Sequence, residues 1–145
     1  MKVIIVEPGK FAKIDEIESS LESYQHVVGG YIQMVYPYDD PVAIVCNEEG
    51  KINQLPLNRA MTDENGHVWD IIAGTFFICG LGEEDCDSLS DELAEKYLQI
   101  FKHPHRFYFD PTGNTIGYQV LSEEEHIHVV QEKSDNKEES DNGTC

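Results

Sequence analysis

The sequence predicts an α+β fold, a single compact domain with a mostly antiparallel sheet and two helices, followed by an acidic, disordered C-terminal tail. Three observations predict this organisation. Short apolar runs separated by Gly, Pro and Asn turns predict strands, and two segments with apolar residues at helical spacing predict helices. The composition also changes near residue 122. We therefore divide the chain into an α+β domain, residues 1–121, and a tail, residues 122–145.

The first elements are predicted to be a strand and a helix. Residues 3–6 form an apolar run that Pro8-Gly9 closes, which is typical of a buried strand. Apolar residues recur at helical spacing over residues 14–28, where Asp15 and Glu18 resemble a capping box at the helix start. Gly29-Gly30 then ends the predicted helix.

Two hairpins are predicted in the middle of the chain. Residues 31–36 end at a proline and are expected to pair with residues 42–46. Residues 58–61 and 67–72 flank a turn that contains Asn65-Gly66, a pair suited to positive φ.

The last predicted elements are a strand, a helix and a hairpin. Residues 76–79 form an apolar run between glycines and predict another buried strand. A helix with one apolar face is predicted to start at Ser88. Residues 106–109 and 115–121 flank a polar turn and predict a final hairpin.

Charge is the strongest compositional feature, because 28 Asp and Glu stand against 10 Lys and Arg, a formal net charge of −18. Proteins that bind nucleic acid or anionic lipid present basic patches, so this balance excludes both general classes of partner. The sequence has no run of about 18 apolar residues and no basic-then-apolar leader. We therefore expect a cytoplasmic protein.

No established catalytic or metal-binding signature occurs in the sequence. His103-Pro104-His105 and His126-Ile127-His128 are pairs that zinc accepts, but a zinc site needs further ligands at fixed distance. Dinucleotide-binding, P-loop and nucleophile-elbow patterns do not occur. We therefore expect no enzyme activity, no metal and no cofactor.

One set of residues predicts a ligand site. Arginine is scarce, and Arg59 lies at the mouth of a predicted hairpin, where its planar fork suits a phosphate or carboxylate. An ion pair between Arg59 and a nearby acid inside the protein is the alternative. Aromatic residues offer faces on which a base could stack. The predicted ligand-binding residues are Arg59, Asn58, Asn53, Tyr31, Tyr36, Tyr38 and Trp69.

A second set of residues predicts a protein-partner site. Glu83, Glu84, Asp85 and Asp87 precede the second predicted helix, where acids are favoured by the positive end of the macrodipole. Carboxylates on a rigid surface can also imitate spaced phosphates and occupy the basic groove of a DNA-binding enzyme. The sequence leaves both interpretations open.

Several segments resemble a family of small proteins of phages and integrative elements that is defined as a domain of unknown function. The resemblance covers residues 1–82 well, the second helix loosely and the tail not at all. The segments that carry it are Met1-Lys2-Val3-Ile4-Ile5-Val6-Glu7-Pro8-Gly9, Val28-Gly29-Gly30-Tyr31-Ile32, Val35-Tyr36-Pro37, Cys46-Asn47-Glu48-Glu49-Gly50-Lys51, Leu55-Pro56-Leu57-Asn58-Arg59 and Ile71-Ile72-Ala73-Gly74-Thr75-Phe76-Phe77. It implies a small accessory protein of a mobile element, a type of protein that often disarms host defences.

Three functions follow as hypotheses. The leading hypothesis is a non-enzymatic anti-defence protein that sequesters a small nucleotide-derived immune signal, a design compatible with a homo-oligomer that repeats the pocket. The alternative is an acidic, DNA-mimic-like inhibitor of a basic, nucleic-acid-binding host enzyme. A small hydrolase that degrades a nucleotide signal is the third.

Overall fold

The computed structural model describes residues 1–83 and 85–124, whose secondary structure comprises ten strands and two helices. The strands are β1 Lys2–Val6, β2 Lys13–Glu16, β3 Ile32–Val35, β4 Val42–Asn47, β5 Leu57–Thr62, β6 Val68–Ala73, β7 Phe76–Leu81, β8 Cys86–Asp87, β9 His105–Phe109 and β10 Thr115–Val120. The helices are α1 Leu21–Val28 and α2 Asp91–Phe101. The predicted α+β class with two helices is confirmed.

The central sheet separates two apolar cores. Its strand order is β2-β1-β7-β4-β3, with β8 also paired to β7, and every pair is antiparallel. Successive side chains of a strand point to opposite faces. Phe76 and Ile78 of β7 accordingly join the core that contains α2 residues, whereas Phe77 and Cys79 join the core that contains α1 residues. The two helices therefore cover opposite faces of the sheet.

The predicted start of the first helix is wrong. Residues 13–16 form β2, in which Ile14 pairs with Ile4 of β1, and the helix begins only at Leu21. Ser20 caps the helix, because its Oγ accepts a hydrogen bond from the Ser23 amide at 3.1 Å. The predicted capping pair is therefore replaced by a serine cap. The backbone hydrogen bonds between β2 and β1 determine the structure of residues 13–16, although their apolar residues have helical spacing.

The second helix also begins later than predicted, and β8 is an element that the sequence did not indicate. Ser90 rather than Ser88 caps α2, since its Oγ accepts from the Leu93 amide at 3.2 Å. The predicted pairing of β3 with β4 is confirmed, as are the β5–β6 and β9–β10 hairpins.

The β5–β6 and β9–β10 hairpins lie on the α2 side of the molecule. Met61 and Ile72 of β5 and β6 belong to the core that contains α2. The β9–β10 hairpin follows α2 directly and is joined to β5 by a hydrogen bond from the Ala60 amide to His105 Nδ1 at 3.0 Å. No described helix is long and apolar enough to span a membrane. The described residues end at Glu124, so residues 125–145 of the predicted tail lie outside them.

Candidate functional site

A concave space of about 990 Å³ opens on the α2 side of the molecule, and we call it the cleft. Its walls are the β5–β6 hairpin, the C-terminal half of α2, the β9–β10 hairpin with the segment before it, and the connection between β3 and β4. Pockets that hold small molecules have volumes of roughly 300–1,000 Å³. The cleft is therefore large enough for a ligand of that class.

Aromatic side chains from three elements line the cleft. Tyr38 comes from the β3–β4 connection, Trp69 from β6 and Tyr118 from β10. The Tyr38 ring packs against Tyr97 with centroids 5.0 Å apart, and Tyr118 stacks on His105 at 4.9 Å. Burial raises the pKa of Tyr38 to about 12, so its phenol stays protonated near neutral pH. The cleft thus offers flat faces and a phenol that can donate a hydrogen bond.

His105 is a neutral imidazole in the wall of the cleft. Its Nδ1 accepts the hydrogen bond from the Ala60 amide, so the proton of the neutral ring is on Nε2. Burial is the main cause that lowers the pKa of His105 to about 4, with smaller contributions from Arg59 and His103. His105 is therefore a hydrogen-bond donor without charge, and its Nδ1 is already occupied.

His103 also lines the cleft and packs edge-on against Phe11, with ring centroids 5.5 Å apart. Its Nδ1 is buried and has no hydrogen-bond partner among the described residues. Buried polar atoms are normally paired, so this unpaired nitrogen is an exception in the interior beside the cleft. The described residues bring together no group of three or more His, Cys, Asp and Glu side chains that could hold a metal ion.

Three carboxylates line the cleft, those of Asp39, Asp63 and Glu64. Asp63 is partly used by the β5–β6 turn, because its Oδ1 accepts from the Asn65 and His67 amides at 2.9 Å. All three residues are exposed. This arrangement gives the cleft a negative lining.

The lysine of the cleft is neutralised within the protein. Lys96 Nζ donates to Asp40 Oδ2 at 2.6 Å and lies 5.5 Å from the centre of the Tyr97 ring. Tyr97 Oη donates to the same oxygen at 2.8 Å. The Lys96 and Tyr97 hydrogen bonds hold the pKa of Asp40 below its usual value. Lys96 therefore adds little free positive charge to the cleft.

Arg59 is buried behind the cleft, with 1% of its surface exposed. Its Nη2 donates to the carbonyl oxygens of Lys10 at 2.7 Å and Phe101 at 3.0 Å, and its Nε donates to Phe101 at 3.2 Å. Because Phe101 is the last residue of α2, the guanidinium neutralises the negative end of that helix. Burial lowers the pKa of Arg59 to about 10, so the group stays charged at neutral pH.

Asn58 completes this buried network. Its Oδ1 accepts from Arg59 Nη1 at 2.9 Å, and its Nδ2 donates to the carbonyl oxygens of Val6 at 2.9 Å and Gly74 at 2.8 Å. The network ties the β5–β6 hairpin to the central sheet and to α2. Arg59 thus has its partners inside the protein, as the alternative interpretation expected. These partners are carbonyl and amide oxygens, however, and not the carboxylate of an ion pair.

The remaining predicted ligand residues do not share one site with the cleft. Tyr31, which is 68% exposed, and Asn53 line a separate pocket of about 260 Å³ beside Gly29 and Gly30. Tyr36 is 60% exposed, and its hydroxyl contacts the Met34 sulfur at 3.9 Å. Of the seven predicted residues, the structure thus brings only Tyr38 and Trp69 into the cleft.

Of the predicted acidic residues, Glu83 and Asp85 lie between β7 and β8, and Asp87 is the last residue of β8. Asp85 Oδ1 and Asp87 Oδ1 each accept a hydrogen bond from the following amide, those of Cys86 and Ser88, at 2.7 Å. Glu83 is exposed, whereas Glu84 lies outside the described residues. The two aspartates therefore each accept a local hydrogen bond, Asp85 before β8 and Asp87 at its end.

Comparison with protein families identifies a match over most of the chain. Residues 1–102 match the model of DUF3846, a domain of unknown function. The chain belongs to this family. No curated protein and no solved structure matches the chain.

The DUF3846 match ends at Lys102, immediately after α2. Tyr38 and Trp69 lie within the matched region, whereas His105 and Tyr118 follow it. The cleft is therefore formed jointly by the DUF3846 domain and by the β9–β10 hairpin beyond it.

Sequence reasoning missed the contribution of this hairpin to a ligand site. The sequence indicates His105 as a surface histidine or a metal ligand, and it predicts no role for Tyr118. The available signal is the ring side chains at alternate positions of β9, those of His105, Phe107 and Phe109, which predict one ring-lined face of the hairpin. Which surface that face would meet depends on contacts with β5 that the local pattern does not contain.

Proposed function

We propose that this DUF3846 protein is a non-enzymatic binding protein that holds a ligand with a flat face in the cleft. The observation that carries the proposal is the convergence of Tyr38, Trp69 and Tyr118 from three elements on one cavity of about 990 Å³. Such rings bind flat groups by stacking, with a preference for offset or edge-to-face geometry. The neutral His105 and the protonated Tyr38 add hydrogen-bond donors beside these faces.

The state of these two polar groups supports binding rather than catalysis. A general base needs a free basic atom with a pKa near the working pH. His105 Nδ1 is already occupied by the Ala60 amide, and the pKa of the ring is about 4. The Tyr38 phenol, with a pKa of about 12, does not supply a phenolate near neutral pH.

The specific form of the proposal is sequestration of a nucleotide-derived immune signal in the bacterial cytoplasm by a protein of a phage or mobile element. The base of such a signal would stack on Trp69 or Tyr38. Its phosphates would have to lie away from Asp39, Asp63 and Glu64, because these carboxylates repel anions.

Mass spectrometry of bound molecules tests the proposal. The purified protein is incubated with an extract of defence-bearing, infected bacterial cells, washed and denatured. We expect one small molecule to be released chemically unchanged, and to be lost from Trp69→Ala but retained by Tyr36→Ala, an exposed aromatic residue outside the cleft. Conversion of the molecule by the protein, or equal retention by both variants, would overturn the proposal.

The acidic surface supports a second candidate, an inhibitor that binds a basic nucleic-acid-binding protein. The net charge is −18, and ion pairs in the fold engage Lys13, Lys51 and Lys96 with neighbouring acids. Under this candidate, replacing Glu83, Glu84, Asp85 and Asp87 by their amides weakens a salt-sensitive complex with the partner. Unchanged affinity of that variant would reject this candidate.

A further inference from the structure

The charged residues that line the cleft are three acids and one lysine. Asp39, Asp63 and Glu64 supply carboxylates, whereas the Lys96 ammonium is bound to Asp40 at 2.6 Å. His105 adds no positive charge near neutral pH, because burial keeps its imidazole unprotonated. A ligand that enters the cleft therefore meets excess carboxylate.

The aromatic faces of the cleft reinforce this preference. The face of an aromatic ring carries negative electrostatic potential and attracts cations, most strongly for Trp. Trp69 is 48% exposed, so much of its ring is available. Next to the cleft, the Lys96 Nζ already lies 5.5 Å from the centre of the buried Tyr97 ring while it is paired with Asp40.

The groups that could have bound an anion point elsewhere. Arg59 donates to Lys10 and Phe101 carbonyl oxygens inside the fold. The net charge of −18 also attracts cations and repels anions before contact.

We propose that the cleft selects a flat cation, and that its occupant is the guanidinium of an arginine side chain in a basic protein or peptide. This inference rests on the general form of the proposed function, a flat ligand held in the cleft, and assigns the cleft a cation in place of an anionic nucleotide. A guanidinium stacks on a ring while its edge pairs with a carboxylate, and it carries five donors and no acceptor. An ammonium of lysine lacks the plane, and so arginine is preferred over lysine.

Isothermal titration calorimetry with matched peptides tests this selection. The probes are a capped Gly-Arg-Gly tripeptide, the same peptide with citrulline, which is the neutral counterpart of arginine, the lysine peptide, and adenosine monophosphate. We expect the arginine peptide to bind about tenfold more tightly than the citrulline peptide, in line with a desolvated cation–π contact. The lysine peptide should be intermediate, and the nucleotide should bind more weakly than the arginine peptide.

Charge variants of the protein locate the effect. Glu64→Gln and Asp39→Asn should each weaken the arginine peptide about threefold, since each removes one exposed ion pair. Glu22→Gln is the matched control, because Glu22 is an exposed acid on α1, across the sheet from the cleft. An equal effect of all three substitutions would show attraction by overall charge and would overturn selection by the cleft.

The outcomes separate this inference from the proposed function. Equal binding of the arginine and citrulline peptides, or tighter binding of adenosine monophosphate, overturns selection for a cation while the cleft remains a binding site. Absence of binding by every probe also overturns the inference. The proposed function is judged independently, by whether the released ligand in the mass-spectrometry experiment depends on Trp69.

Discussion

At the scale of single residues, Arg59 shows how far residue type alone supports an interpretation. The sequence indicates a scarce arginine with donors suited to an anion, but it contains no information on the direction of the side chain. In the fold, the guanidinium faces carbonyl oxygens of Lys10 and Phe101, with Asn58 beside it. Lys10 and Phe101 lie far from Arg59 in sequence, so only the tertiary structure reveals their carbonyl oxygens as partners.

The buried network predicts that Arg59→Ala destabilises the fold. The substitution leaves buried carbonyl oxygens without donors and removes a cation from the end of α2, at a cost of roughly 3–5 kcal/mol. Urea unfolding measures this change in the free energy of unfolding. Lys51→Ala, which removes an exposed ion pair with Asp70, is the control and should cost less than about 1 kcal/mol. Equal stability losses in the two variants would contradict the structural role of Arg59.

The lowered pKa of His105 predicts that the protein loses stability in mild acid. Its pKa is about 4 in the fold and near 6.5 when exposed. Above pH 6.5 the ring is neutral in both states, so its contribution to stability is complete. Between pH 6.5 and 4 the unfolded chain binds the proton first, and the free energy of unfolding falls with pH, by up to roughly 3 kcal/mol.

The variant His105→Asn isolates this effect in urea unfolding at a series of pH values. The asparagine Oδ1 can accept the Ala60 hydrogen bond but does not titrate. We expect the variant to show a smaller fall in stability between pH 6.5 and 4 than the wild type. Superimposable pH profiles would show that His105 does not titrate differently in the two states.

At the scale of elements, local patterns identified most of the secondary structure. The Asn65-Gly66 turn and the apolar face of α2 are signals contained within a few residues, and both elements form. β2 and β8 were missed because their formation depends on ladders to β1 and β7 rather than on their own sequences. Ile14 fits a helical pattern, yet its backbone pairs with Ile4.

The β7–β8 pair predicts that Gly80→Ala is destabilising. A Cβ at Gly80 would lie 2.6 Å from the Ser88 carbonyl oxygen and 3.2 Å from that of Asp87, both backbone atoms that cannot easily move. We expect a cost of about 1–3 kcal/mol, typical of overpacking. Thermal and urea unfolding measure it.

Gly117→Ala in β10 is the matched control for this substitution. A Cβ at Gly117 would meet no atom within 4 Å, so the variant should keep or slightly raise stability. A loss at Gly117 equal to that at Gly80 would show that contact with β8 is not the cause.

At the scale of the whole molecule, the cleft is a product of assembly. Tyr38, Trp69 and Tyr118 are widely spaced in the sequence, and they meet because α2 brings β9–β10 beside the β5–β6 hairpin. The sequence predicts Tyr38 and Trp69 as ligand residues from their chemistry, and both line the cleft. It also grouped them with Tyr31 and Asn53, which belong to another pocket, because spatial grouping requires the fold.

The central claim is that a ligand occupies the cleft, and the fluorescence of Trp69 tests it most directly. Trp69 is the only tryptophan of the chain and lines the cleft, so its emission reports on this site alone. A saturating ligand, identified by calorimetry or mass spectrometry, should shift the emission and protect Trp69 from quenching by acrylamide. Saturation that leaves both the emission and the quenching unchanged would contradict the account.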